Sequence, residues 1–268
     1  MENMLDFQCC DSYTLGDFVK LIAYLRSDRG CPWDRVQTHQ SIRRNFIEEV
    51  YEACEALDDG ELTHMREELG DVLMQVLFHT DIEREAGHFD IDDVADAACK
   101  KLVRRHPHVF GSAEERAKGQ DWEAEKRRER GQATTADAMQ GVSRALPALW
   151  RSEKLQAKAA KVGYDWPDAE TAFRKLPEEV AELQEAIAQG DGDAVEEELG
   201  DLLFAAVKVA RFQGVDPEAA LHRACEKFIR RFDGVERAVL AAGKSMEDAS
   251  LPEMLALYDA VKAGEHQS

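Results

Sequence analysis

No stretch of the sequence alternates polar and apolar residues for long enough to mark a β-strand, so sheet content should be small or nil. No apolar run approaches a bilayer span: those around Val72–Phe78 and Leu202–Val207 are far too short, and Asp6 and Asp11 interrupt any apolar leader at the N-terminus. The six cysteines, at 9, 10, 31, 54, 99 and 225, show no paired metal-ligand spacing, and the adjacent Cys9 and Cys10 make a poor disulfide framework. A soluble protein in a reduced, cytoplasmic compartment is the expectation. Missing too are a Walker loop, a Gly-x-Gly-x-x-Gly turn and any nucleophile with an evident base. Positive charge is in deficit, since 34 Lys and Arg stand against 54 Asp and Glu, for a net charge of −20. Such a field repels a phosphate backbone, so double-stranded nucleic acid is not expected as a general partner, and with no spanning run no membrane partner is expected either. A small phosphate ligand stays open, because a bound divalent cation reverses the local field.

What the chain has is acid, placed twice in one frame. Glu48-Glu49-Val50-Tyr51-Glu52 precedes Glu67-Glu68-Leu69-Gly70-Asp71, and 130 residues on Glu178-Glu179-Val180-Ala181-Glu182 precedes Glu197-Glu198-Leu199-Gly200-Asp201. The last Glu of the first segment lies 19 residues before the Asp of the second in both copies. Identical internal spacing indicates a duplicated unit. Between Ser112 and Gly141 the composition turns to Glu, Lys, Arg, Gln, Gly, Ala and Thr with little apolar periodicity, and the Thr134-Thr135 region reads as solvated linker. This divides the chain into an N-terminal domain over 1–119, a charged linker over 120–141 and a C-terminal domain over 142–268.

Apolar residues at three- and four-residue steps predict a helix from Thr14 to Arg26, a loop at Cys31-Pro32-Trp33-Asp34, and a helix N-capped at Ser41 and ended by Asp58-Asp59-Gly60. That helix carries Ile42, Phe46, Ile47, Val50, Tyr51, Cys54 and Leu57 on one broad apolar face. A partner helix follows from about Leu62 to Ala86, then another from Ile91 to His106, ended by Pro107. The second half repeats the plan: a Lys-rich helix through Lys154, Lys158 and Lys161, the acidic pair turned at Gly190-Asp191-Gly192, a helix opened by Pro217, and a last one from about Leu251. Short turns make each acidic pair antiparallel neighbours.

At 100° per residue, Glu49 and Glu52 lie ~60° apart at the margin of the apolar face, and Glu68 and Asp71 stand in the same relation on the partner helix. Four carboxylates converging there repel one another by several kcal/mol at an effective dielectric near ~20. Raised pKa values could relieve this, but a hard divalent cation does so better: Mg²⁺ takes oxygen ligands and keeps waters for substrate phosphates. No His follows either Glu pair at the spacing of di-iron bundles. The candidate metal ligands are therefore Glu49, Glu52, Glu68 and Asp71, and Glu179, Glu182, Glu198 and Asp201. Glu48, Glu55, Glu67, Glu178, Glu185 and Glu197 point further outward, as solvated charge commonly does.

Lys227 and Arg231 lie one turn apart on one helix face, a spacing also met at Lys101 and Arg105; they could hold a phosphate chain or pair with surface Glu. Tyr258 could stack on a base or fill core, with Lys262 adding charge. His106 and His108 could touch phosphate or complete a helix end, and Trp33 and Trp166 could plug the core or line a base pocket.

With these residues in hand, the chain resembles the MazG nucleoside triphosphate pyrophosphohydrolases in their tandem form over nearly its full length. The resemblance is carried by Gly30-Cys31-Pro32-Trp33-Asp34 with Gln37-Thr38-His39, by both carboxylate sets, by Arg104-Arg105-His106-Pro107-His108-Val109-Phe110 and by Lys161-Val162-Gly163-Tyr164-Asp165-Trp166. It implies an all-α fold, a tandem of helical pairs that dimerise into four-helix-bundle-like units. It also implies Mg²⁺-dependent hydrolysis of NTPs and dNTPs to monophosphate and pyrophosphate, with Mn²⁺ as a substitute metal, in house-cleaning or nucleotide-pool control. Carried over by position, Glu179, Glu182, Glu198 and Asp201 would be the Mg²⁺ ligands and, with Glu178, the catalytic carboxylates. Lys175, Glu178, Lys227, Arg231, Tyr258 and Lys262 would contact the nucleotide, Tyr258 standing where some relatives have Trp. The first half has Asn45 at the place of Lys175 and nothing that answers Tyr258 and Lys262, so the second domain should carry most of the activity. The competing expectations are a non-catalytic helical module that binds nucleotide or divalent ions, and a phosphoribosyl-ATP or dCTP-like specificity.

Overall fold

The computed structural model describes residues 7–113, 116, 127, 129 and 131–265, and every regular element among them is helical. The chain divides into two compact units, Met1–Trp122 and Glu123–Ser268. Much of the stretch expected to be linker lies outside the described residues. No helix among the described residues is long and apolar enough to cross a membrane.

The first unit contains α1 (Leu15–Arg26), α2 (Pro32–Arg35), α3 (His39–Asp59), α4 (Leu62–Glu85), α5 (Ile91–Arg105) and α6 (Pro107–Phe110). Thr14 caps α1 in a reciprocal box with Asp17. Two expectations change here. Cys31-Pro32-Trp33-Asp34 is not a plain loop but opens the single turn α2, with Pro32 at its first position, where a missing N–H does no harm. The cap of α3 is Thr38, with Ser41 as its third helical residue: the Thr38 hydroxyl accepts the Ser41 amide at 3.3 Å while the Ser41 hydroxyl accepts the Thr38 amide at 2.9 Å. Gly60 then closes α3 at φ 71°, a left-handed turn open to glycine at little cost, and α4 returns antiparallel.

The core of this unit lies where α1 packs on α4. Ile22, Ile42, Leu77 and Phe78 are buried there, lined by Phe18, Val19, Leu25, Leu73, Met74, Ile82 and Ile91. Burying such side chains contributes about 1.5–3 kcal/mol each. Beside this core sits a buried cation. Arg26 donates to Asp81 at 3.1 Å, to Glu85 at 2.8 Å and to the carbonyls of Asp34 and Gln37 at 2.9 and 3.4 Å, which fastens the segment around α2 to α4. Trp33, by contrast, is 59% exposed and plugs no core.

The second unit contains α7 (Thr135–Gln140), α8 (Ala148–Ala160), α9 (Ala169–Gln189), α10 (Gly192–Phe212), α11 (Pro217–Ala241), a 3₁₀ turn at Met246–Asp248 and α12 (Leu251–Glu265). Thr134 and Thr135, read from composition as linker, instead cap and open α7. A reciprocal box with Asp137 stabilises that start, and Ala138 is buried. Gly190, at φ 70°, repeats the turn of Gly60 between α9 and α10. Small residues allow that pair to approach: Ala172, Ala186, Ala205 and Val207 are buried. Gln156 of α8 donates to the Phe204 carbonyl at 2.8 Å, and Arg211 of α10 pairs with Asp165 in the segment before α9. α11 packs mainly on α12, where Val235, Val239 and Ala249 gather Met246, Met254, Leu257 and Tyr258. Close passage at Gly234, where a Cβ would lie 2.9 Å from Val261, is part of that fit. Trp166 is 42% exposed, so it too is not a core plug.

Much of the apolar face assigned to α3 remains outside. Ile47, Val50, Tyr51 and Leu57 are exposed, while Ala53 and Ala56 make the close contacts; on α9 and α10, Phe173, Val180, Ile187, Leu199 and Leu203 are likewise exposed.

Candidate metal and nucleotide site

The antiparallel pairing of α3 with α4 brings one oxygen each of Glu49, Glu68 and Asp71 within 4.8 Å of one another. Glu52, one turn on from Glu49, is exposed and lies outside that trio. Burial, then the nearby Asp71, raises the Glu49 carboxyl above its usual range, against a hydrogen bond from Gln75 at 3.4 Å. Gln75 is itself buried, and its carbonyl oxygen has no partner; one oxygen of Glu68 is likewise buried and unpartnered. His64 reaches the other Glu68 oxygen at 3.1 Å.

In the second unit Glu179, Glu182 and Glu198 converge within 4.8 Å, while Asp201 is exposed and outside the trio. The two copies thus share Glu49 or Glu179 and Glu68 or Glu198, and differ in the third member, Asp71 or Glu182. Glu179 is only 7% exposed. Its counter-charge is Lys175, whose Nζ lies 3.1 Å from Glu179 and 2.7 Å from the exposed Glu178, and these two bonds raise the lysine's pKa. Desolvation is the main reason that the Glu182 carboxyl titrates above its usual range; Lys175 opposes it, and Glu179 and Glu198 add to it.

An oxygen-only donor set with buried, unpartnered oxygens fits a hard divalent cation, and the absence of His and Cys from both trios disfavours the softer metals. Exposed carboxylates commonly gather without an ion, so the weight rests on the buried, unpartnered oxygens of Glu68 and Gln75 and on the burial of Glu179.

Lys227 and Arg231 project from α11, and Tyr258 and Lys262 from α12. The Arg231 guanidinium carbon lies 5.7 Å from the Tyr258 ring centroid and its nitrogens reach Glu265 at 2.7 Å, a carboxylate shared with Arg230 at 3.1 Å. Tyr258 also leans on Phe228, 6.3 Å between ring centroids, and packs against Val235 and Val239. Its ring is therefore partly core. Lys227 lines a shallow groove with Arg223, Glu226 and Arg230. His106 ends α5 and bonds the Leu102 carbonyl at 2.6 Å, a helix-end role, while Nδ1 of His108 is buried without a partner.

The profile of the MazG nucleotide pyrophosphohydrolase domain matches this chain twice, over residues 37–110 and 168–235. A nucleoside triphosphate pyrophosphohydrolase/pyrophosphatase MazG of Thermotoga maritima is 41% identical over 93% of this chain and 96% of its own length. The chain belongs to the MazG family, hydrolases that act on acid anhydrides. A nucleoside triphosphate pyrophosphohydrolase of Escherichia coli K12 is 40% identical over 89% of this chain and 92% of its own. The Bacillus subtilis protein YabN is 42% identical over 94% of this chain but only 52% of its own length. The two MazG segments enclose both carboxylate trios, Lys175, Lys227 and Arg231; Tyr258, Lys262 and Glu265 fall beyond the second.

Sequence reasoning missed Gln75 and His64, the side chains that hold the first MazG trio. The signal was present in the 130-residue offset, for the second copy has Ala205 and Ala194 at the corresponding places. It missed as well that Lys175 lies on two carboxylates, although a Lys three and four residues before a Glu pair occupies one helix face.

Proposed function

We propose that the chain hydrolyses nucleoside and deoxynucleoside triphosphates to monophosphates and pyrophosphate, chiefly in its second unit, in a cytoplasmic house-cleaning role. The observation that carries this reading is the convergence of Glu179, Glu182 and Glu198 beside Lys175 in the second of two MazG segments. Those carboxylates, with Asp201 at the rim, would hold Mg²⁺ or Mn²⁺; Glu49, Glu68 and Asp71, with Glu52 at the rim, would hold another. When bound, the cation supplies charge for the phosphate oxygens and lowers the pKa of a water. Glu178, exposed beside the buried Glu179, would orient a water and take its proton as the anhydride between the α- and β-phosphates opens. Lys227 and Arg231 offer charge to the departing pyrophosphate, and Tyr258 and Lys262 offer a ring and a charge to the nucleoside end.

The reading includes a homodimer. Val50, Tyr51 and Leu69 beside the first trio and Val180, Leu199 and Leu203 beside the second are exposed in the single chain, an arrangement that calls for a second copy across each helical pair. Incubating the full chain with mixed triphosphates and Mg²⁺ tests the activity. Pyrophosphate released with Mg²⁺ and not with a chelator supports it; nucleotide binding without release would leave the non-catalytic module as the better reading.

A further inference from the structure

A packed carboxylate cluster needs positive charge before a metal arrives as well as after. The two units answer the repulsion within that cluster with different groups. In the second, the ammonium of Lys175 lies 2.7 Å from Glu178 and 3.1 Å from Glu179, so it occupies an oxygen of a carboxylate that belongs to the converging trio. In the first, Asn45 stands at the corresponding place; Glu49 has the neutral amide of Gln75, and Glu68 has His64. A divalent cation entering the second trio meets a competing charge already seated there, and one entering the first meets an amide.

Lys175 is built to leave. Its side chain is about one-third exposed at 32%, on a flexible four-carbon stem with three donors that can be turned to another oxyanion. Two residues further on, Pro177 lies inside α9. Without an N–H it cannot bond the Phe173 carbonyl, so the turn that carries Lys175 lacks one of its ties. The first unit has Ile47 there and keeps its N–H.

We infer that Lys175 is an exchangeable internal counter-ion of the second trio. It neutralises Glu178 and Glu179 in the unloaded protein, yields Glu179 to the divalent cation, and turns to the phosphates of the substrate. Cation and nucleotide then bind the second unit cooperatively, each relieving the other's repulsion, while the first unit takes its cation without help from nucleotide. This rests on the reading of both trios as cation sites given above.

The test is Mn²⁺ binding to the full chain, followed by electron paramagnetic resonance with and without a non-hydrolysable triphosphate. A chain carrying Glu49→Gln and Glu68→Gln isolates the second trio, and one carrying Glu182→Gln and Glu198→Gln isolates the first. At the second trio, Lys175→Gln should tighten Mn²⁺ about tenfold without nucleotide and abolish the gain that the nucleotide gives, whereas Lys175→Arg, which keeps the charge, should behave as the unsubstituted chain. At the first trio, Mn²⁺ binding should ignore nucleotide, and Asn45→Lys should weaken it about tenfold. If Mn²⁺ binds both trios and Lys175→Gln leaves its affinity unchanged or lowers it, the exchange is overturned and the cation sites stand. If Mn²⁺ binds neither trio, the cation sites and the exchange fall together.

Discussion

In the first unit Glu49 accepts a hydrogen bond from the Gln75 amide and Glu68 pairs with His64; in the second, Ala205 and Ala194 stand in those places and an ammonium, Lys175, lies on Glu179. The same duplicated frame therefore sits among different neighbours. The ion pairs beside the helical pairs differ in the same spirit, with opposite polarity: α4 contributes the acid, Asp81, to the buried Arg26, whereas α10 contributes the base, Arg211, at the position 130 residues on, to the half-buried Asp165. Duplication preserved where the carboxylates stand and left open what neutralises them. On the inference above, the first site takes a cation without help from nucleotide, and the second gives up its lysine to take cation and nucleotide together.

The largest effect expected from breaking this comparison is on stability. Arg26→Met leaves the buried Asp81 with Arg84 alone, at 2.8 Å, and strips Glu85 and the Asp34 and Gln37 carbonyls of their donor; it should destabilise the first unit by about 3 kcal/mol. Arg211→Met should cost less, about 1–2 kcal/mol, because Asp165 is more exposed than Asp81 and, among the described residues, Arg211 holds no second carboxylate or carbonyl as Arg26 does. Denaturant unfolding of both variants, with a probe in each unit, checks the order.

Acid should then weaken the first unit before the second. His39 and His79 meet through their Nδ1 atoms at 2.7 Å, and Glu83 bonds His39 and His88 at 2.6 Å each; in the second unit Ala169 and Val209 stand 130 residues on from His39 and His79. Burial, with His39 alongside, holds the His79 imidazole below its usual 6.5, so the unfolded chain takes up that proton first. The stability this contributes is present above pH 6.5 and is lost as pH falls through the depressed native value. Hydrogen bonds from His88 and His39 hold Glu83 below its usual 4.5, so its contribution goes at lower pH still. Melting each unit between about pH 7.5 and 5.5 should show the first falling and His79→Phe flattening that fall.

The smallest effect concerns Glu265, which holds Arg231 and Arg230 and whose carboxyl they keep below its usual range. Glu265→Gln should free Arg231 for phosphate and lower KM about threefold with kcat unchanged, a modest gain because the pair is part-exposed. Steady-state kinetics would show it; a raised KM would mean that Glu265 positions Arg231 instead.

The helices and both hairpins were legible because period and glycine turns agree, as at Gly60 and Gly190. Two carboxylate clusters were legible because the spacing recurs. The division of surfaces was not: the apolar stripe of α3 reads as core, yet Ala53 and Ala56 take the close contact while Val50, Tyr51 and Leu57 face outward. Periodicity records that a face is apolar and not whether its cover lies in the same chain. Nor could spacing say that Asp71 joins the first trio and Glu182 the second, since Glu49 and Glu52, like Glu179 and Glu182, differ only by ~60° around a helix. Side-chain neighbours such as Gln75 and Lys175 decide that.

The central claim is that the second unit turns over substrate while the first holds a cation. Pyrophosphate release by Glu182→Gln and by Glu52→Gln, measured side by side with Mg²⁺, tests it most directly. Glu182 belongs to its trio and Glu52 does not. The account predicts a loss of at least about a hundredfold for Glu182→Gln and less than about threefold for Glu52→Gln. Equal losses, or a larger loss from Glu52→Gln, would contradict it.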